Sequence, residues 1–127
     1  MKKEVTLGMI QAMYIGLFQN WNEIKNQIQL DPKNLYSLIG IKKVVLTEME
    51  KMQEAVQEFI STIDNIEYHD DGSFSVPDEH IQEVNNKLAE LNASTILFDY
   101  VPIEIKDDNC QIPMEVMETL FDFIEIK

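Results

Sequence analysis

The side chains best suited to chemistry in this sequence are two histidines, one cysteine and many carboxylates. His69, His80 and Cys110 show none of the spacings that zinc sites use. Cys110 follows Asp107 and Asp108 closely, and their negative charge opposes the thiolate that a nucleophile requires. We therefore expect a structural cysteine and no metal site.

One group of residues resembles a calcium-binding loop. Its members stand at positions one, three, five, six and twelve of an EF-hand-like loop: Glu67, His69, Asp71, Gly72 and Asp78. However, position one is Glu instead of Asp, position three is His, and Pro77 precedes the last ligand. A β-hairpin explains the same residues better, so the hairpin is our prediction.

Catalytic motifs are missing from the sequence. It contains no glycine-rich phosphate loop, no GxSxG nucleophile elbow and no HExxH pair. Neighbouring carboxylates are frequent, but 23 of the 127 residues are acidic, so their frequency is no sign of acid–base catalysis. We predict a protein that is not an enzyme and uses no cofactor.

The charge is strongly negative and unevenly distributed. Ten Lys, no Arg and 23 acidic residues give a formal net charge of −13. Residues 1–64 are nearly neutral, whereas residues 65–127 carry almost all of the excess. Binding to a phosphate backbone relies on clustered Lys and Arg, so direct nucleic-acid binding is not expected. The expected partner is a protein with a basic surface.

Acidic residues of the second half are the candidate partner-binding residues. The set comprises Asp70, Asp71, Glu104, Asp107, Asp108, Glu115 and Glu118. With Asp99 and Asp122, the same residues suggest an alternative, an acidic DNA mimic that blocks a nucleic-acid-handling host enzyme. A continuous strip of carboxylates would favour mimicry, whereas charges scattered around an apolar patch would favour an ordinary protein interface. A third possible role for these acidic residues is only to keep the protein soluble.

The first half of the chain predicts two long helices. An apolar stripe runs from Ile10 to Ile28 at helical spacing, with Thr6 as N-cap, although two glycines weaken this helix. Asp31-Pro32 ends it and starts a second helix, which continues to about residue 63. The two stripes predict an antiparallel helical hairpin, whose heptad-like period allows pairing with a second copy.

The second half mixes strands and shorter helices. Residues 66–76 predict a β-hairpin that pairs Tyr68 with Phe74 around a loop containing left-handed Gly72. A helix capped by Asp78 follows, with a buried stripe at Ile81, Val84, Leu88 and Leu91. Residues 95–105 predict an edge strand or extended arm, and Pro113 starts a terminal helix with Met117, Leu120, Phe121 and Ile124 on its apolar face. The prediction is one helix-dominated α+β domain over residues 1–127.

The apolar segment from Val5 to Phe18 superficially resembles a signal peptide. It is too short to span a bilayer, no small-residue cleavage site follows it, and Glu4 interrupts the basic flank. We therefore expect a buried helix and no membrane contact. The expected location is the cytoplasm of a bacterial host, and the alternative is association with a virion.

The order of elements resembles that of small acidic phage and prophage proteins. The matching pieces are Thr6-Leu7-Gly8, the helix from Tyr36 to Ile63, Asp70-Asp71-Gly72, Glu90-Leu91, Ile103-Glu104-Ile105 and the segment from Met114 to Ile124. Those proteins usually carry Arg in the long helix, and this chain has none. The resemblance implies a viral origin and an accessory role, as a virion or assembly component or as an inhibitor of a host system, and it implies no active site.

Overall fold

A thirty-residue helix, α3 (Pro32–Ser61), is the longest element of the protein. The computed structural model describes residues 1–105 and 112–126. The remaining helices are α1 (Leu7–Gly16), α2 (Trp21–Ile24), α4 (Asp78–Ala93) and α5 (Met114–Thr119). The strands are β1 (Lys2–Thr6), β2 (Glu67–Tyr68), β3 (Phe74–Ser75), β4 (Thr95–Asp99), β5 (Ile103–Ile105) and β6 (Ile124–Ile126). The predicted helix-dominated α+β class is confirmed.

Local sequence explains why α3 starts where it does and remains unbroken. The Asp31 side chain accepts a hydrogen bond from the Asn34 backbone N–H (2.9 Å), and Pro32 occupies the first turn. Apolar residues at helical spacing then bury one face, including Leu38, Ile41 and Val45. The continuous helix predicted over about residues 34–63 is confirmed.

Helix α1 packs antiparallel to α3. Gln11 lines a groove with Met52, whereas Trp21, farther along the chain, lies beneath the Lys42 ammonium at 5.1 Å. The chain therefore runs towards the start of α3 as it leaves α1. The predicted N-cap is also confirmed, because the Thr6 hydroxyl accepts from the Met9 N–H (3.1 Å).

The prediction of one helix through to Ile28 is wrong. Helix α1 ends at Gly16, and two 3₁₀ turns and the short α2 carry the chain onward. Leu17 and Phe18 are both buried, although neighbouring residues of an α-helix point about 100° apart. The break lets both side chains enter the core. At Gly16 an added Cβ would lie 3.1 Å from the Thr119 hydroxyl, so this position also lets α5 approach closely.

The N-terminal segment forms a strand that the sequence did not indicate. Strand β1 pairs antiparallel with β4 in a register from Lys2 opposite Asp99 to Thr6 opposite Thr95. The Leu7 N–H donates to the Ser94 carbonyl (2.8 Å) and extends this contact into the start of α1. The predicted extended segment at residues 95–105 is therefore two strands, β4 and β5.

The predicted β-hairpin is confirmed together with its register. Tyr68 is opposite Phe74, and Gly72 has φ of +89°, the left-handed conformation that glycine tolerates best. The Asp71 carboxylate accepts from both the hydroxyl (2.6 Å) and the backbone N–H (3.0 Å) of Ser73. These bonds fix the turn.

Strand β5 is held from two elements. It pairs in parallel with β6, with Ile103 opposite Ile124. The buried Asn34 side chain of α3 donates to the Glu104 carbonyl (2.7 Å) and accepts from the Glu104 N–H (2.9 Å). One amide therefore anchors a strand to the first turn of the long helix.

The short helices differ from the predictions in detail. Asp78 lies in the first turn of α4 and makes no side-chain cap, and Ile81 is 41% exposed, so only part of the predicted stripe is buried. Helix α5 ends at Thr119, before a 3₁₀ turn at Phe121–Phe123 and β6. Phe121 is exposed, because Val116, Leu120 and Phe123 provide the buried face instead.

The core lies between α1, α3, α5 and the β1–β4 pair. Phe98, Tyr100 and Phe123 form an aromatic cluster with ring centroids 4.7 to 6.0 Å apart. Within the described ranges, no helix has both the length and the apolar character needed to cross a membrane.

Candidate functional site

The segment from α5 to the start of β6 combines exposed apolar and acidic side chains. Residues Met114, Glu115, Glu118, Phe121 and Asp122 form what we call the α5 surface. Met114 is 75% exposed and Phe121 72% exposed, among the highest values for large apolar residues in the protein. The carboxylates are exposed between and beside them.

The buried residues of the same segment explain this exposure. Val116, Leu120 and Phe123 stand at spacings of four and three and are at most 3% exposed, so they anchor the segment to the core. The side chains between them therefore point outward. In the 3₁₀ turn Leu120 and Phe123 face the same direction, and Phe121 points about 120° away from both.

Among the described residues, Lys3 compensates this surface only weakly. The Lys3 ammonium lies 3.6 Å from the Asp122 carboxylate, and both side chains are substantially exposed. Such a pair contributes roughly 0 to 1 kcal/mol, because water screens it. The α5 surface therefore combines three exposed carboxylates with two exposed apolar side chains.

The other predicted partner-binding residues that the structure describes lie in two places, on β5 beside β6 and in the β2–β3 turn. The Glu104 carboxylate lies on β5, 3.5 Å from the Lys33 ammonium at the start of α3. Asp70 and Asp71 lie in the β2–β3 turn, whose Phe74 lines a groove with the C-terminal half of α3. Helix α3 is about 45 Å long, so it separates these two groups of carboxylates. Asp107 and Asp108 lie outside the described residues.

The Asp71 carboxylate has a structural task. The hydroxyl of Ser73, followed by its backbone N–H, lowers the pKa of Asp71 below its ordinary value of 3.8. Hydrogen bonds to the ionised form cause this shift, because they stabilise the carboxylate relative to the acid. The Asp71 carboxylate therefore stabilises the turn, and part of its hydrogen-bonding capacity is used by Ser73 and not by a partner protein.

Both histidines have polar neighbours close to them in the sequence. The His69 imidazole Nε2 lies 2.7 Å from the Ser75 hydroxyl, and His80 lies between Glu79 and Glu83 at 3.6 and 3.5 Å. Among residues 1–105 and 112–126, no group of three or more His, Cys, Asp or Glu side chains is arranged to hold a metal ion.

A second feature is an uncharged groove of about 470 Å³ between α1, α3, α4 and the hairpin. Its walls include Met49, Met52, Val56, Leu88 and Leu91, and its polar lining consists of neutral amides: Gln11, Gln53, Gln57 and Asn92. Ten residues line it and none is charged, although the whole chain carries −13. The groove is therefore suited to an apolar side chain and not to an ion.

Sequence reasoning located the acidic part of the α5 surface but missed its apolar part. Glu115 and Glu118 were candidates because of their charge, whereas Phe121 was assigned to the buried face. The sequence also contains a second apolar set at helical spacing, Val116, Leu120 and Phe123. If this set forms the buried face, Phe121 is exposed, so the spacing could have indicated the correct answer. Comparison with protein-family models, with curated proteins and with solved structures found no match to this chain.

Proposed function

We propose that this is a non-catalytic accessory protein, encoded by a phage or prophage, that binds another protein through the α5 surface. The observation that carries the proposal is the exposure of Met114 and Phe121 among the carboxylates of Glu115, Glu118 and Asp122. Exposed aromatic and methionine side chains are enriched at protein interfaces, and a polar rim around them is typical.

The chemistry of the surface supports one kind of partner. Phe121 supplies an apolar anchor for a pocket, and the neighbouring carboxylates favour a rim of Lys and Arg around that pocket. Because the chain carries −13, long-range attraction would also accelerate its encounter with a basic partner. The partner is therefore a protein with an apolar pocket inside a basic surface.

The phage assignment rests on the resemblance in element order described above. In that setting the protein acts in the bacterial cytoplasm or on a virion, as an assembly component or as an inhibitor of a host system. The alternative function, an acidic DNA mimic, draws on the charge excess of residues 65–127. Asp70 and Asp71 belong to the hairpin beside the C-terminal half of α3, whereas Glu104 lies at the start of α3, and this separation supports the ordinary interface over a continuous strip.

The test is capture of partners from a bacterial lysate at low and high salt. Phe121→Ser should abolish capture of the specific partner, and Glu115→Gln with Glu118→Gln should weaken it most at low salt. The matched control is Glu83→Gln with Glu90→Gln on α4, which removes the same charge from another surface. Capture that is unaffected by Phe121→Ser would contradict the proposal.

Competition with duplex DNA separates the two functions. A DNA mimic occupies a nucleic-acid-binding groove, so excess DNA should release its partner and Phe121→Ser should matter little. For the interface proposed here, DNA competition should be weak and the loss on Phe121→Ser should be large.

A further inference from the structure

The solvent-facing side of α3 carries apolar residues along one line. Leu35, Ile39 and Leu46 are 40%, 38% and 37% exposed, and a helix of 3.6 residues per turn places Leu35 and Ile39 each within about 20° of Leu46. They lie apart from the buried face that includes Leu38 and Val45. We call this line the α3 stripe. Half-exposed Leu and Ile residues along a single line are typical of a helix that contacts another helix.

The C-terminal half of α3 continues the same line with different chemistry. Glu50, Gln53 and Gln57 follow Leu46 within about 40° of it. Gln53 and Gln57 also form part of the rim of the uncharged groove, with Met49 and Val56 behind them. The N-terminal half of the line is therefore a ridge of apolar side chains, with Lys42 at its edge over the Trp21 ring, and the C-terminal half borders an apolar depression.

Ridge and depression are placed symmetrically about Leu46. Leu35 and Gln57 are each eleven residues from Leu46, or roughly 16 Å along the axis, and Ile39 and Gln53 are each seven residues away. A two-fold rotation about an axis through Leu46 thus brings the ridge of one α3 to the Gln53 and Gln57 rim of the groove of another. The ridge of each copy meets the groove rim of the other only when the two α3 helices run antiparallel.

The charges agree with the same arrangement. The exposed Lys43 and Glu50 lie on the same flank of the line. Lys43 is three residues before Leu46, and Glu50 is four residues after it. In the antiparallel pair, Lys43 of each copy faces Glu50 of the other. In a parallel pair related by a two-fold axis along the helices, the Lys43 and Glu50 flanks of the two copies would lie on opposite sides of the seam, so this attraction between copies would not form.

We propose that two copies of the protein form an antiparallel dimer through the α3 stripe, with the two-fold axis at Leu46 and with Leu35 and Ile39 of each copy covering the groove of the other. The contact involves residues 35–57, a helix of roughly 33 Å. Such a seam is at the small end of stable interfaces, so the dimer forms reversibly with concentration. Helix α5 packs on α1 through its buried side, and the residues of the α5 surface are not among those of the seam.

The oligomeric state as a function of concentration tests the dimer. Sedimentation equilibrium of the full chain should give a mass that rises from 14.8 kDa towards twice that value. Leu46→Asp, which places two carboxylates at the axis, should keep the mass at the monomer value over the same range. Leu97→Asp is the matched control, because Leu97 is 65% exposed on β4, away from the stripe, and should still dimerise. Circular dichroism verifies that both variants fold. A wild type that remains monomeric at high concentration would overturn the proposal.

Charge reversal tests the partner residues. Lys43→Glu or Glu50→Lys alone should weaken dimerisation at least several-fold, and the double variant should restore it, because the attraction is re-formed between copies. Failure of the double variant to recover would contradict the pairing.

Disulfide formation tests the direction, in a Cys110→Ser background. Leu46→Cys should cross-link two copies, since the axis passes through this residue, whereas Ile39→Cys should not, because its copies lie about 20 Å apart in the antiparallel pair. Cross-linking of Ile39→Cys alone would show a parallel contact and overturn the arrangement.

Discussion

At the scale of single residues, Asn34 has the most demanding role. It is buried at 2% exposure, and its amide satisfies both the N–H and the C=O of Glu104, seventy residues away. A buried polar group is stabilising only while it is paired, so the helix and the strand depend on the same side chain.

Asn34→Ala should therefore lower the free energy of unfolding by about 1–3 kcal/mol, because it leaves the backbone groups of Glu104 without these partners. Urea denaturation measures the change. Ser37→Ala is the control: Ser37 is also buried, but its hydroxyl donates only to the Lys33 carbonyl of its own helix (3.3 Å). Equal losses in the two variants would contradict this role of Asn34.

A second residue-scale prediction concerns Asp71 and Ser73. Ser73→Ala should raise the pKa of Asp71 towards 3.8, because the hydroxyl is the largest cause of its lowered value. NMR titration of the carboxyl carbon measures this, with Ser75→Ala as the control because that hydroxyl contacts His69. An unchanged pKa in Ser73→Ala would disprove the assignment.

The same shift has a defined effect on stability. A carboxyl whose pKa is lower in the folded state stabilises the turn fully above its unfolded value, near pH 4. That contribution disappears as the pH falls through the lower folded value. The Asp71 contribution is thus constant at neutral pH and lost in acid.

At the scale of elements, the length of α3 is maintained despite a glycine in its interior. An added Cβ at Gly40 meets nothing within 4 Å, so no packing requirement explains the glycine. At Gly8 in α1, by contrast, a Cβ would lie 3.3 Å from the Asn92 carbonyl oxygen, where α1 and α4 approach.

Gly40→Ala should raise the free energy of unfolding by about 0.5–1 kcal/mol, because alanine loses less conformational entropy in a helix. Gly8→Ala should raise the free energy of unfolding less, or lower it, because the Asn92 carbonyl oxygen must move to accommodate the added Cβ. Thermal and urea unfolding of both variants measure the difference. A larger gain at Gly8 than at Gly40 would contradict this reading of the two environments.

Elements determined by neighbouring residues were predictable from the sequence. Asp31 and Pro32 mark the start of α3 within one turn, and Gly72 fixes the hairpin loop, so both were predicted correctly. Strands β1 and β6 were missed, because Lys2 pairs with Asp99 and Ile124 with Ile103 across long sequence separations. Short apolar segments do not identify such distant partners.

The charged residues of the candidate site were predictable from the sequence, whereas the exposed Phe121 was not. Charge is a property of each residue, so Glu115 and Glu118 were named from the sequence alone. The exposure of Phe121 depends on which of two overlapping apolar sets packs on the core. That choice is made by tertiary contacts such as the close approach of Thr119 to Gly16, which no local pattern contains.

At the scale of the whole molecule, charge repulsion should act against stability. Residues 65–127 hold most of the net charge of −13, and the described ion pairs are mainly exposed and weak. Salt screens repulsion over distances beyond about 8–10 Å near physiological ionic strength.

Moderate salt should consequently raise the melting temperature above its value at low ionic strength. Differential scanning calorimetry at several salt concentrations measures it, and Glu115→Gln with Glu118→Gln should show a smaller increment because it carries less charge. A melting temperature that falls with added salt would indicate that pairs such as Lys33 with Glu104 outweigh the repulsion.

The pairing of β1 with β4 also determines the order in which the chain can fold during synthesis. About ninety residues separate Lys2–Thr6 from their partners in Thr95–Asp99, which corresponds to roughly 5–20 s of translation at typical bacterial and eukaryotic rates. During that interval β1 has no strand to pair with, whereas α1 and α3 can already form their contacts. The helical pair is thus available as a template, and closure by β4 and then β6 comes last. Late closure of such distant contacts is slow, so the nascent protein exposes an unpaired strand edge for longer than its finished fold would suggest.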